Sequence, residues 1–288
     1  MAQSGGEARK RWRGKMLQPG VLAPLMPLRL ADLDTDTLEK LATREVSKRP
    51  TPLRLGFRLL RAFLNWSAEQ EGMADLVNPG IASTKKLKTI LGKPQPKSDV
   101  LLREQLPAWF QQVRSIENPV VSVYLQALLL TGARRNEMLG LRWAEVDTRW
   151  KSLTIRDKVG DTRQIPLTPY LEARLSELPR RNEWVFSSSR GEEGRLVDPN
   201  PRHRQVCKCA GIEGLTLHGL RRSFKSLSEW LELPVGVVAQ IMGHKPSATA
   251  EKHYTIRPLD LLRIHHERFE CWLLQHAKLV DQDDQGQA

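Results

Sequence analysis

Hydrophobic positions recur at helical spacing through most of this chain and alternate strictly in only one stretch. Leu53, Phe57, Leu60 and Leu64 fall on one side of a segment that Thr51 can cap, Pro52 can open and Gly72 can close, which predicts a helix there. Asn118-Pro119 opens an apolar run through Leu130 that reads as a buried helix broken at Thr131-Gly132, and Glu137 to Trp143 reads as its helical continuation. Residues 152–156 and 163–167 alternate like strands around Val159-Gly160-Asp161, a hairpin signal, with a third strand expected over 184–187. Beyond His218 the spacing is helical again, over 219–231, 234–242, 247–254 and 259–276. The pattern predicts a mainly α chain with a small antiparallel β-sheet, an α+β fold.

Length and charge divide this pattern. At 288 residues the chain is longer than one compact core usually takes. The segment 92–98, Gly-Lys-Pro-Gln-Pro-Lys-Ser, lacks periodicity and reads as a linker. The 45 Lys and Arg against 33 Asp and Glu leave a net +12. Residues 1–98 hold 18 of the former and 9 of the latter, a net +9, which leaves 27 against 24, or +3, for the remainder. Such a balance points to a polyanionic partner. No stretch approaches 18 uncharged apolar residues, and the basic start has no apolar run or cleavage site after it. Cys207, Cys209 and Cys271 cannot build a disulfide framework. These features predict a cytosolic, nucleic-acid-facing protein with no membrane partner. The expected parts are a basic lead-in over 1–26, a helical DNA-binding domain over 27–91, the linker, a domain over 99–280 and a disordered tail over 281–288.

Four short patterns carry the candidate chemistry: Thr131-Gly-Ala-Arg134-Arg-Asn-Glu137, His218-Gly-Leu-Arg221, Met242-Gly-His244 and Glu251-Lys-His-Tyr254. Each is weak alone. In this order they resemble the catalytic domain of tyrosine recombinases, the phage-integrase family, whose pattern runs T-G-x-R-x-x-E, a hairpin lysine, H-x-x-R, L-G-H and a tyrosine. Methionine stands for leucine before Gly243. The resemblance is strong over 99–280, and residues 27–90 look like the family's core-binding domain with less specific signals.

DNA transesterification needs a nucleophile, charge stabilisation around phosphorus and a proton for the leaving oxygen. Arg134 and Arg221 supply planar forks suited to non-bridging phosphate oxygens. Tyr124 sits in the apolar run and Tyr170 at the start of a helix, so of the chain's 3 tyrosines Tyr254 is the best placed nucleophile. His218 is the expected proton acceptor or phosphate-orienting group, and His244 a hydrogen bond to the phosphate. The resemblance implies a hairpin lysine that protonates the departing 5′-oxygen. Lys158 occupies that place, with Lys151 as competitor before the strand. Glu137 is expected to buttress an arginine. No cofactor or metal is implied, and Cys207, Cys209 and His203 read as ordinary residues, since no fourth ligand has suitable spacing.

Arg54, Arg58 and Arg61 form a second stripe along the predicted helix at 51–72, and with Lys85, Lys86 and Lys88 they make a phosphate-tracking surface in the basic segment. The resemblance implies a site-specific recombinase or integrase of a phage or mobile element. It would work on double-stranded DNA as a homotetramer, through a Holliday junction, with an accessory DNA-bending protein among its partners. Helix 259–279 is expected either to fold on its own core or to dock on a neighbouring protomer. Residues 1–26 are too few for the arm-binding domain of many integrases, so that domain is expected to be absent or lost. The alternatives are an integrase remnant that occupies sites without recombining and a topoisomerase-like swivelase.

Overall fold

The computed structural model describes residues 11–12, 15–16, 19–157, 160–189, 191, 193–244 and 257–280. The chain divides into two compact units, Met1–Pro96 and Lys97–Ala288.

The first unit opens with two paired two-residue strands, β1 (Arg11–Trp12) and β2 (Lys15–Met16). Its helices are α1 (Thr35–Val46), α2 (Pro50–Ala68) and α3 (Lys85–Leu91). Asp34 caps α1 by accepting from the Thr37 amide at 2.8 Å, and Thr84 caps α3 through the Leu87 amide at 3.2 Å. Leu53, Phe57, Leu60 and Leu64 of α2 pack with Leu38, Leu41, Leu87 and Leu91, and Val21 and Leu25 join this core from upstream of residue 27. The expected bounds of α2 shift at both ends. Arg49 precedes the first turn, Pro50 takes the position where a missing N–H costs nothing, and Thr51 lies inside the helix. The helix ends at Ala68, and Gly72 follows in the left-handed region at φ +74°. Gly56 is where α2 meets the lead-in: a Cβ there would sit 2.6 Å from Val21 Cγ2.

The second unit is built around α5 (Pro119–Thr131), whose residues from Val120 to Thr131 are all buried. A helix apolar on every side belongs at the centre of a domain. Asn118 caps it and Gly132, at φ +59°, ends it. Around it lie α4 (Leu106–Arg114), α6 (Arg135–Leu139), α7 (Pro169–Ser176), α8 (Asn200–Cys209), α9 (Leu217–Ser228), α10 (Val235–Met242) and α11 (Leu259–His276). The sheet is antiparallel in the order β3 (Val146–Asp147), β4 (Ser152–Arg156), β5 (Thr162–Pro166). Its register sets Ser152 opposite Pro166, Ile155 opposite Arg163 and Arg156 opposite Thr162.

Two expectations change here. The third strand is Val146–Asp147, because residues 184–187 make only isolated bridges, Arg142 to Trp184 and Ser187 to Arg195. The helix expected from Glu137 to Trp143 stops at Leu139, where Gly140 closes it. The helix over 259–279 folds on its own domain: Leu262, Phe269, Leu273 and Leu274 of α11 are buried in the same core as Leu128, Leu220 and Phe224. In the single chain that face is filled by its own domain, the first of the two expected arrangements. Glu270 reinforces the attachment by accepting from the Thr168 hydroxyl and from the Tyr170 amide at 2.8 Å.

Candidate active site

The turn between α5 and α6 sets the first arginine. Thr131 Oγ1 donates to the Ala127 carbonyl at 2.6 Å and accepts from the Ala133 amide at 3.2 Å, which steers the chain through Gly132. Arg134 then precedes α6 in an extended conformation, three residues before Glu137. The Glu137 carboxylate accepts from the Arg134 amide at 2.9 Å and from Arg134 Nη1 at 2.6 Å. Arg134 keeps 46% of its side chain exposed, while Glu137 keeps 6%. Burial pushes the Glu137 carboxyl up, but the hydrogen bonds from Arg163 and Arg134 outweigh it and hold the group below the usual carboxylate range.

The second arginine comes from α9. Thr216 caps this helix through the Gly219 amide at 3.0 Å, and Asp99 anchors Thr216 by accepting from its amide at 2.9 Å and its hydroxyl at 2.7 Å. Arg222 pairs with the other Asp99 oxygen. Arg221, one residue earlier, is buried. Its Nη1 donates to the Gly132 carbonyl at 2.5 Å and to the Met242 carbonyl at 2.7 Å. Burial first, and repulsion from Arg134 second, push the Arg221 guanidinium down to about 10, so it stays charged at neutral pH.

The two arginines meet at the end of α10. Arg134 Nη2 donates to the Gly243 carbonyl at 3.3 Å, next along the chain from the Met242 carbonyl that Arg221 holds. Gly243 turns the chain at φ +73°, and His244 follows with its amide on the Ala239 carbonyl at 2.8 Å. Burial and then Arg221 and Arg134 lower the His244 imidazole below its ordinary value. Burial, Arg222 and Arg221 do the same for His218 in the first turn of α9. Both residues still face solvent, so this desolvation is partial. The lowering favours the uncharged, proton-accepting form of each.

Arg134, Glu137, His218, Arg221 and His244 are therefore gathered around one turn, although the sequence spreads them over 111 positions, 134 to 244. One residue of this cluster was not singled out from the sequence. Arg163 of β5 donates from Nη2 to Glu137 at 2.8 Å and from Nε to the Ile241 carbonyl at 3.0 Å. A signal for it exists in the alternation: Arg163 shares the inward face of its strand with buried Ile165, and an inward arginine requires a partner.

Lys158 and Tyr254 lie outside the described residues. Their competitors are committed elsewhere. Lys151 holds Glu172 with its Nζ at 2.7 Å and 2.8 Å from the two oxygens. Tyr124 is buried and donates its hydroxyl to the Arg135 carbonyl at 3.0 Å, and Tyr170 donates to Gln126 Oε1 at 2.6 Å. Burial raises both phenols above their ordinary value. His203 is buried in α8 with Nε2 3.1 Å from the Leu215 carbonyl and Cys207 Sγ 3.7 Å away.

In the first unit the basic stripe divides by role. Arg54 Nε donates to the Leu91 carbonyl at 2.8 Å and Arg61 Nε to the Ala82 carbonyl at 3.4 Å, so both tie α2 to its neighbours. Lys86 pairs with Glu39. Arg58, Lys85 and Lys88 are exposed, and so is Lys86 despite its ion pair.

Comparison with known proteins agrees with this arrangement. Residues 1–89 match the phage integrase core-binding domain and residues 100–257 the phage integrase family. Prophage integrase IntF of Escherichia coli (strain K12) is 44% identical over 288 aligned residues, covering 97% of this chain and 61% of that protein. Tyrosine recombinase XerD of Mycobacterium tuberculosis is 31% identical over 168 residues, covering 54% of this chain and 51% of the relative. The chain thus spans about half to three fifths of the length of these relatives. Among solved structures, a lambda integrase dimer bound to a COC′ core site shares the fold with a TM-score of 0.60 at 17% identity, over 81% of this chain and 84% of that one. The recombinase XerH bound to a difH substrate gives 0.61 at 18%, over 84% and 75%. The motif arginines and histidines gathered at one turn, the two-unit architecture and these matches lead to one assignment: the chain belongs to the phage integrase family.

Proposed function

We propose that the chain cuts and rejoins duplex DNA at a specific site by transesterification, as a recombinase that integrates or excises a phage or mobile element. The observation that carries this reading is the convergence of Arg134 and Arg221 on the adjacent Gly243 and Met242 carbonyls, immediately before His244. Two fixed cations beside two imidazoles whose neutral form is favoured suit a phosphodiester whose non-bridging oxygens gain charge as phosphorus is attacked.

In this mechanism the Tyr254 oxygen attacks the scissile phosphorus and forms a phosphotyrosyl bond to the 3′ end. His218 accepts or orients the phenol proton, His244 hydrogen-bonds the phosphate, and Lys158 gives a proton to the departing 5′-oxygen. Glu137 holds Arg134 in place. The reverse attack by a 5′-hydroxyl restores the phosphodiester and frees the tyrosine. One ester replaces another at each step, so no nucleotide hydrolysis is needed to reseal the strand.

The basic first unit would supply affinity for the duplex, with exposed Arg58, Lys85, Lys86 and Lys88 tracking phosphates while Arg54 and Arg61 secure the fold. Strand exchange would proceed in a homotetramer on synapsed DNA through a Holliday junction, aided by an accessory DNA-bending protein, in the bacterial cytosol. Solved structures of a lambda integrase tetramer on a Holliday junction support the assembly by likeness of fold.

The test is a nicked suicide duplex carrying the junction sequence that flanks the encoding element, incubated with the parent and with Tyr254→Phe in EDTA without ATP. A covalent protein–DNA band on a denaturing gel from the parent alone is the expected result. A covalent band from Tyr254→Phe would move the nucleophile elsewhere. A native-gel shift without covalent product would favour a site-occupying remnant.

A further inference from the structure

The Arg163 side chain is only 14% exposed, in β5, the second strand of the β4–β5 hairpin. A buried guanidinium is costly unless its donors are used, and this one uses them on two elements far apart in sequence. Nη2 reaches Glu137 Oε2 of α6 at 2.8 Å, and Nε reaches the Ile241 carbonyl at the end of α10 at 3.0 Å. Glu137 holds Arg134 Nη1 with its other oxygen at 2.6 Å, and Arg134 Nη2 returns to the Gly243 carbonyl at 3.3 Å. These contacts close a ring that joins α6, β5 and the turn carrying His244. The fit is tight: a Cβ on Gly243 would lie 2.6 Å from Arg163 Nη1.

We propose that Arg163 is a positioning residue for strand cleavage, whose fork registers the hairpin and the Gly243–His244 turn against Arg134 so that phosphate meets a preset geometry. The proposal rests on the cleavage reading above. Glu137 alone would fix Arg134 to its own helix. Beside the direct Arg134–Gly243 contact, the Arg163 fork ties Glu137 both to β5 and to the Ile241 carbonyl at the end of α10. A lysine offers one nitrogen where the site needs two donors at a fixed separation, so Arg163→Lys keeps the charge and loses the bridge. A misplacement of about 1 Å costs a catalytic constellation up to roughly 10²-fold in rate.

The experiment uses the full chain and the nicked junction duplex. It measures single-turnover covalent attachment at saturating DNA, and DNA affinity separately, for the parent, Arg163→Lys, Arg163→Met, Glu137→Gln and the Arg163→Lys/Glu137→Gln double variant. The expected result is at least about a tenfold slower attachment for Arg163→Lys with affinity within about threefold of the parent. The double variant should be no slower than the slower single, because both changes break one ring. An attachment rate close to the parent's, or multiplying losses in the double variant, overturns the proposal. So does loss of DNA binding together with attachment in both Arg163 variants, which marks a purely architectural residue. If the parent itself forms no covalent product, the cleavage reading fails and the positioning role with it; an active parent beside unimpaired Arg163 variants removes the positioning role alone.

Discussion

Acid should loosen the second unit in part through a buried histidine that lies outside the site cluster. His266 of α11 is buried, its Nε2 is 2.8 Å from the Leu130 carbonyl, and its Nδ1 has no hydrogen-bond partner among the described residues. That geometry fits the neutral tautomer with the proton on Nε2, donating to an otherwise unsatisfied carbonyl in the last turn of α5. A second proton would place an unpaired N–H beside the Phe224 ring, whose centroid is 5.9 Å away. Burial therefore pushes the imidazole down to about 4, against the weaker upward pull of the Leu130 carbonyl. An unfolded imidazole titrates near 6.5. As pH falls through 6.5 the unfolded chain takes up a proton that the folded chain refuses until about 4, so folding stability falls with acid across this window. At pH 5 the unfolded imidazole is protonated by roughly 30 to 1 and the folded one neutral by roughly 10 to 1, a loss of about 2 kcal/mol relative to pH 7.5. Urea unfolding of the parent and of His266→Gln at both pH values measures it. Six of the 8 tryptophans, from Trp109 to Trp272, lie in the second unit, so their fluorescence follows the relevant transition. Glutamine can still donate to Leu130 but cannot titrate, so the parent should lose about 2 kcal/mol more than the variant. His203, His218 and His244 shift in the same direction in both proteins and cancel in the difference. Equal losses in parent and variant would refute the reasoning.

Gly132→Ala should destabilise the same unit by at least about 2 kcal/mol, because the residue sits at φ +59° and a Cβ would fall 2.7 Å from Phe224 Cδ1; urea midpoints read the effect, and a change under about 0.5 kcal/mol would contradict it. Lys158→Met should slow covalent attachment by about 10²-fold or more, as loss of a general acid does, whereas Lys151→Met should leave it within a few-fold because that ammonium is engaged by Glu172. The reverse ranking would exchange the two assignments.

The parts of this molecule that were legible in the sequence are those specified by neighbours in the chain. The β4–β5 hairpin follows from alternation on both sides of Gly160, and α5 from an apolar run bounded by Asn118 and Gly132. The motif residues Arg134, His218, Arg221 and His244 were named individually, but nothing local says that Gly132, Met242 and Gly243 would lend them carbonyls. Arg163 escaped notice because its partners lie 26 residues behind it and 78 ahead. The arginine stripe on α2 was visible as a stripe. That Arg54 and Arg61 spend their Nε donors on the Leu91 and Ala82 carbonyls depends on how α2 packs against the chain 20 to 40 residues later. For 184–187 the composition suits a strand, yet Val146–Asp147 pairs with β4 instead, a choice that is tertiary.

The choice of partners explains how the site can hold so much positive charge and still attract phosphate. Had each guanidinium been fixed by its own carboxylate, the cluster would be neutral and would no longer attract an anion. Instead the orienting contacts are carbonyls at two helix ends: Gly132 after α5, and Ile241, Met242 and Gly243 at the end of α10. Such carbonyls lack helical donors and carry the negative end of the helix dipole, so they steer and stabilise a cation without cancelling its charge. The one carboxylate among these contacts, Glu137, is buried and shared by Arg134 and Arg163, which leaves that trio with a net positive charge. Arg221 has no carboxylate in direct contact among its described partners. The preorganised field therefore remains unspent until an oxyanion enters, which is what a transition state that gains charge at phosphorus requires.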